Sequence, residues 1–342
     1  IKAKRIACVV SAVIFVATSC VSPLTGFAFW ETNLAYEGES IYNYLQVKNL
    51  SDRTILSTNV LFGVQSVTMK DKGLTGMYYD TALAAPALAD NANSALILGM
   101  GTGTYARQLK QYYPKMNITG VEIDQKITDL AGEYFDEPAD IPVTTYDGRA
   151  WLAASHDKYD VIMVDAYQDI TIPFQMSSTE FFTMVREHLN PGGVMVVNMN
   201  MISDGQGSIN EALSDTIASV FGNGNTLTAD VPNTTNRELF AKKPGSGSEE
   251  NSMQQASKAL NLRETTYERT GSEDLEWYME EVASRFRKVN EPDSASTILT
   301  DDKAPVEVLG MHAIDQIIAD EAGPYRQILK DEGFGGLLRA VQ

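Results

Sequence analysis

Cysteine is nearly absent from this chain of 342 residues: there are two, Cys8 and Cys20. Everything after them lacks both a disulfide framework and a thiolate metal site. Histidine is as scarce, and His156, His188 and His312 lack metal-ligand spacing, so they read as structural and no metal is expected. Basic residues are in deficit, 27 Lys and Arg against 45 Asp and Glu, a net charge of -18. That excludes nucleic acid as a partner, because phosphates need basic groups, and it is compatible with a cationic one. Charge of either sign is missing from residues 6–30, which follow Lys2, Lys4 and Arg5. A bilayer is crossed by about 20 apolar residues. Residues 1–30 therefore read as a membrane span or signal-anchor segment, with Pro23 and Gly26 placed to bend or end a helix. The expectation is membrane association, as a single pass or as the last span of a larger protein. The basic flank places the next domain outside by the positive-inside rule, whereas upstream spans or an interfacial segment remove that constraint, so the face stays open.

What is present is enough apolar sequence, 44%, to fill a core. Residues 31–70 alternate polar and apolar side chains, as hairpins do. Residues 77–88 read as a helix. Strand and helix patterns then alternate to about residue 197, the signature of a doubly wound sheet. Residues 181–189 suit a helix, Asn190-Pro-Gly-Gly193 a turn, 194–198 a strand, and 238–242 a last strand, antiparallel because too little chain precedes it for a crossover. Asp157 and Asp160 read as surface acids. Pro244-Gly-Ser-Gly-Ser248 is a flexible linker. Residues 252–262, 274–288 and 313–321 have helical periodicity. The expected organisation is an N-terminal segment 1–30, a small β domain 31–75, a nucleoside-binding α/β domain 76–244, and a linker with helical extension 245–342.

Four short apolar runs in the α/β part end alike. Ala95-Leu-Ile-Leu98 runs into Gly99-Met-Gly-Thr-Gly103; the others end at Val121-Glu-Ile-Asp124, at Asp147-Gly148 and at Asp165. Such runs suit buried parallel strands, and open α/β sheets bind ligands beyond the carboxyl ends of their strands. Gly99, Gly101 and Gly103 let the backbone approach a ligand closely. The dinucleotide pattern G-x-G-x-x-G fails at Thr104, while Glu122 follows at about the distance of a ribose-binding acid. The spacing thus favours a nucleoside without a pyrophosphate, such as S-adenosylmethionine or a relative. Glu122 has two oxygens for the two ribose hydroxyls, and Asp124 suits a helix cap. Asp147, beside Gly148, has two readings, an acceptor for the adenine amino group or a helix N-cap. Asp165 suits the chemistry. A sulfonium donor brings its own leaving group, but an attacking amine is protonated near pH 7, and a carboxylate can hold the ammonium and help remove its proton. Asp169 lies close enough in sequence to help, and Tyr167 is placed to wall an acceptor pocket. Met100, Tyr105 and Trp151 read as packing.

These residues resemble the spermidine synthase (polyamine aminopropyltransferase) family, and most the bacterial forms that are membrane-embedded or fused to a transporter-like region. The resemblance covers about residues 36–242, with a further stretch at Leu299-Thr-Asp-Asp-Lys-Ala-Pro-Val-Glu307. Glu39-Ser-Ile-Tyr-Asn-Tyr-Leu-Gln-Val47 is similar to the family's first hairpin, with Asn43 where a nucleoside-contacting Gln is usual. Leu61-Phe-Gly-Val-Gln-Ser66 resembles the next strand and turn. Met77-Tyr-Tyr-Asp80 stands at the Tyr-His/Gln-Glu position, which implies Tyr78 and Tyr79 in the amine pocket. Glu122, Asp147 and Asp165 match the ribose, adenine and catalytic acids, and Asp165-Ala-Tyr with Ile172-Pro173 is like the fused forms. The resemblance implies a class I methyltransferase-like (Rossmann-like) fold, transfer of an aminopropyl group from decarboxylated S-adenosylmethionine to an amine such as putrescine, no metal, and a homodimer. Two positions depart from the pattern. Thr102 replaces the acid that holds the donor's free amine, and Gln168 replaces the second acid of Asp-x-x-Asp. A hydroxyl at 102 suits a donor that keeps its carboxylate. Methyl transfer or another use of S-adenosylmethionine therefore stays open, as does a non-catalytic membrane-tethered protein that binds a nucleoside or polyamine.

Overall fold

The structure, a computed structural model, describes the chain apart from residues 1, 22–25, 27, 29–30, 60–63, 72, 137, 139, 166–171, 201–206, 246–261, 295, 312–326 and 334–342. It divides into two compact units, Ile1–Lys72 and Gly73–Gln342.

The first unit opens with helix α1 (Lys2–Val21), along which Ile6, Val9, Val13, Ile14 and Phe15 are exposed. Among the described residues no helix is long and apolar enough to cross a membrane, so the membrane-span reading of residues 1–30 finds no support there. Strands β1 (Leu34–Glu39), β2 (Tyr44–Asn49), β3 (Arg53–Thr58) and β4 (Ser66–Met69) form an antiparallel sheet in chain order. Leu45, Val47 and Leu56 lie on one face of it and Val67 on the other; all four are buried, and so are Gln46, Ser57 and Ser66, so burial here does not follow simple alternation.

The second unit is a mixed eight-stranded sheet. Its strands are β5 (Ser94–Leu98), β6 (Asn117–Glu122), β7 (Val143–Thr145), β8 (Tyr159–Val164), β9 (Leu189–Asn200), β10 (Thr226–Asp230), β11 (Asn236–Lys242) and β12 (Phe286–Lys288). The spatial order is β12-β10-β11-β9-β8-β5-β6-β7. Strands β5 to β9 pair parallel, and β11 pairs antiparallel with β9 and β10. Residues 231–235 leave room only for a hairpin between β10 and β11, while a helix at Ile209–Phe221 lies between β9 and β10, so the expected direction of β11 holds but not the shortage of chain it was argued from. This is the class I methyltransferase-like α/β fold. The chain turns from one half of the sheet to the other between β5 and β8, the switch point where such sheets bind ligands.

Local chemistry sets the helices that follow the strands. Asp124 caps α5 (Gln125–Tyr134), Asp147 caps α6 (Gly148–Ala154), Ser178 caps α7 (Thr179–His188) and Ser208 caps α8 (Ile209–Phe221), each side chain accepting a first-turn backbone N–H. The apolar faces of α7 and α8 bury Phe181, Phe182, Leu213 and Ile217 against Ile162, Met195 and Val197. Trp151 packs on the same core, as its position on α6 implied. His188 bonds the Met184 and Ser155 carbonyls through its two ring nitrogens. Among the described residues no group of acids, histidines or cysteines could hold a metal. The stretch 299–307 turns through a Thr300–Lys303 bridge. Asp301 takes both Arg149 guanidinium nitrogens, at 2.8 and 2.6 Å, and the Ser178 hydroxyl, at 2.5 Å.

Several expectations are corrected. The helix at 77–88 is two, α2 (Tyr78–Ala82) and α3 (Ala84–Leu88), broken at Leu83. Pro86 disfavours a longer helix because it has no N–H to give to residue 82, and in α3 it sits in the first turn, where none is needed. Asn190-Pro-Gly-Gly193 is not a turn between elements but lies within β9, at the shift in its register with β8. Residues 286–288 leave the expected helix and join the sheet as β12, after a helix at Glu273–Arg285. Helical readings at 252–261 and 313–321 fall outside the described residues. Asp160 is no surface acid. It is buried, accepting Asn93 N–H at 2.8 Å, Ser94 N–H at 3.2 Å and the Asn190 amide at 2.8 Å. Asp160→Ala orphans these donors and is expected to cost about 2 kcal/mol or more, whereas Asp157→Ala stays within about 0.5 kcal/mol; urea unfolding of the two variants checks the contrast.

Candidate active site

The site is built at the carboxyl ends of β5, β6 and β8, all within the second unit. After Leu98 the backbone N–H groups of Gly99 and Met100 both reach the Val121 carbonyl, which folds the loop onto β6. Gly99, Gly101 and Gly103 have φ of 89°, 55° and 78°. A side chain is strained at each, so the pattern is a demand of the turn. Gly103 ends the loop as the N-cap of α4 (Thr104–Tyr112). Thr102 is buried between these glycines. Its carbonyl accepts the Arg107 guanidinium at 2.6 Å, which brings a permanent cation to the loop.

Glu122 closes β6. One carboxylate oxygen accepts Gly101 N–H at 2.8 Å and the other Asp124 N–H at 3.0 Å. The acid thus ties the glycine loop to the start of α5 and keeps a lone pair on each oxygen for a diol. Burial raises its pKa, and the backbone N–H bonds oppose that rise. Asp124 caps α5. Asp147 accepts Ala150 N–H at 2.8 Å through Oδ1, so its capping reading holds, with Oδ2 left to serve a ligand. Gly148 opens α6, and a Cβ there would meet only ordinary contacts, the nearest at 3.6 Å from Met176 Cε.

Asp165 stands just past β8. The Tyr78 hydroxyl donates to its Oδ2 at 2.6 Å and the Asn198 amide to its Oδ1 at 3.0 Å, while its own N–H bonds the Leu98 carbonyl. Burial pushes its pKa up to about 6, against the two side-chain hydrogen bonds, which favour the charged form. Tyr78 is pushed well above the usual phenol value by burial and then by the Asp165 charge; it is a donor, not a phenolate. Its ring lies 4.0 Å from that of Tyr79. Asp80 anchors α2 by accepting Thr75 N–H, the Thr75 hydroxyl, Gly76 N–H and the Gln108 amide, which fixes the tyrosine pair.

Of the residues expected from sequence, Gly101 and Glu122 are joined, as are Tyr78 and Asp165. Asn43 belongs to the first unit, where its Oδ1 accepts the Asn59 amide at 2.8 Å. Tyr167, Gln168 and Asp169 lie outside the described residues. Sequence reasoning missed Asn198 and Asn236. Asn236 donates to Asn198 Oδ1 at 2.8 Å, turning the Asn198 amide N–H toward Asp165. The available signal was a polar residue inside the apolar run of β9. Tyr78→Phe removes one donor to the Asp165 carboxylate and is expected to move its midpoint above about 6, read by carboxyl NMR titration.

Residues 77–243 match the family described as the Spermine/spermidine synthase domain. A polyamine aminopropyltransferase of Corynebacterium efficiens is 37% identical over 131 residues, 35% of this chain and 25% of the relative. One from Vibrio vulnificus is 28% identical over 209 residues, 58% of this chain and 69% of the relative. The chain thus spans a quarter of the first relative's length and about two thirds of the second's. A probable spermidine synthase of Corynebacterium glutamicum shares the fold with a TM-score of 0.55 at 22% identity, over 78% of this chain and 99% of that one.

Proposed function

We propose that this chain, whose residues 77–243 match the Spermine/spermidine synthase domain, is an aminopropyltransferase that moves an aminopropyl group from decarboxylated S-adenosylmethionine to an amine such as putrescine. The observation that carries the reading is Asp165, a buried carboxylate past the switch-point strand, held by Tyr78 and Asn198. Glu122 receives the ribose hydroxyls, the glycine loop the donor's nucleoside, and Asp147 Oδ2 the adenine amino group. The acceptor enters as an ammonium beside Asp165, with Tyr78 and Tyr79 as the pocket wall. Asp165 takes the proton. The freed amine attacks the carbon bonded to sulfur, the C–S bond breaks with its electron pair on sulfur, and methylthioadenosine leaves neutral. Tyr78 and Asn198 hold one carboxylate lobe toward the amine.

The pH dependence follows from the acid's raised pKa. Below about 6 Asp165 is protonated and cannot accept the proton, so kcat/KM falls as pH drops through that value. Asp165→Asn is expected to lower kcat by about 10²–10⁴-fold, to erase the acidic limb, and to leave methylthioadenosine binding within about twofold. An Asn variant with full activity contradicts the assignment.

A second reading, methyl transfer from S-adenosylmethionine, draws on Thr102 and on Arg107 at the same loop, since a cation there suits a donor that keeps its carboxylate. Membrane attachment of the N-terminal unit is supported by the exposed Ile6, Val9, Val13 and Phe15 of α1, and flotation of the full chain with lipid vesicles checks it.

A further inference from the structure

Glu238 lies on β11 with no solvent exposure, and among the described residues neither of its carboxyl oxygens has a hydrogen-bond partner. A buried polar group left unpaired is destabilising, so an acid kept in this state calls for a reason. Its place in the sheet supplies one. Glu238 stands opposite Asn198 in the β9–β11 ladder. Opposed residues project to one face with Cβ atoms about 4.5–5.5 Å apart, and Asn198 is the residue that donates to Asp165. Burial raises the Glu238 pKa well above the usual glutamate value, and the Asp165 charge raises it further, which favours its neutral form. The titratable groups on this side are Asp165 past β8, Tyr78 on α2, and Tyr105 on α4, whose own pKa is raised by burial first and then by its proximity to Tyr113 and Glu238. Lys242, farther along the same face of β11, is engaged by the Leu88 carbonyl and Asp90 and does not neutralise Glu238.

Resting on the aminopropyl-transfer reading, we propose that Glu238 is the specificity-determining acid for a diamine acceptor, pairing with the ammonium that does not react while Asp165 receives the one that does. The unpaired oxygens are then the acceptors for that ammonium. On its arrival neutral Glu238 ionises, releasing its proton to solvent and leaving a carboxylate–ammonium pair, which is how a buried charge is best tolerated. A monoamine offers no second cation and leaves the acid unpaired.

The test is calorimetry of the full chain saturated with methylthioadenosine, titrated with 1,4-diaminobutane and with butylamine. It is run above the Asp165 midpoint in two buffers of different ionisation enthalpy. The wild type is expected to bind the diamine at least about tenfold more tightly, equivalent to 1.4 kcal/mol, and to release about one proton more than with the monoamine. Glu238→Gln is expected to lose both differences while its methylthioadenosine affinity and Tm hold. Equal affinity and equal proton release for the two amines in the wild type overturn the inference and make Glu238 an internal structural acid; this readout stands even if the variant fails to fold. Discrimination retained by a folded Glu238→Gln overturns it as well. Both results leave the role of Asp165 intact, whereas failure of either amine to bind the nucleoside-loaded wild type overturns this inference and the transfer reading together.

Discussion

The rest of the site depends on the 2.6 Å hydrogen bond from Tyr78 to Asp165. It connects a short helix that precedes the first parallel strand to the end of the fourth, across the switch point of the sheet. Without it a buried carboxylate faces the low-dielectric interior with one fewer donor, and the desolvation that already lifts its pKa to about 6 has less opposing it. Asn198 supplies the second donor from β9, and Asn236 orients Asn198 from β11. One acid is therefore positioned by three elements besides its own strand. A base poised near 6 is charged at neutral pH and still able to take a proton, which is the balance that activation of an ammonium requires.

The glycine loop and Glu122 solve a different problem on the neighbouring strand. Their interaction is between a carboxylate and backbone N–H groups, so it fixes the loop with one hydrogen bond to each Glu122 oxygen. The same economy recurs at Asp147, where one oxygen caps a helix and the other remains. Acids here hold the scaffold with part of their hydrogen-bonding capacity and keep the remainder for a cation or a hydroxyl. That agrees with the excess of acid over base in the composition.

Much of this was legible in the sequence because apolar runs that stop at a glycine or an acid mark strand ends, and strand ends make the site. The glycine loop, Glu122, Asp147 and Asp165 all fall on that rule, and β11 is antiparallel as expected, although α8 and the unforeseen strand β10 lie between it and β9. What escaped depends on tertiary burial. Asp160 looks like any acid at the start of a strand, and its three donors come from residues 93, 94 and 190. Asn198 and Glu238 sit inside strands that were read for their apolar neighbours, and their meaning comes from facing each other across a ladder. The break at Leu83 and the register shift within Asn190-Pro-Gly-Gly193 reflect packing that a period of 3.6 or 2 does not carry.

Donor choice is where the account is most exposed, because Thr102 and Arg107 border the loop that a donor's tail must pass. The measurement is calorimetric competition among methylthioadenosine, S-adenosylmethionine and decarboxylated S-adenosylmethionine for the full chain. The account expects the decarboxylated donor to bind more tightly than S-adenosylmethionine, since an acid-lined site rewards a cationic tail and penalises a carboxylate. A clear preference for S-adenosylmethionine would contradict it and move the chemistry to methyl transfer.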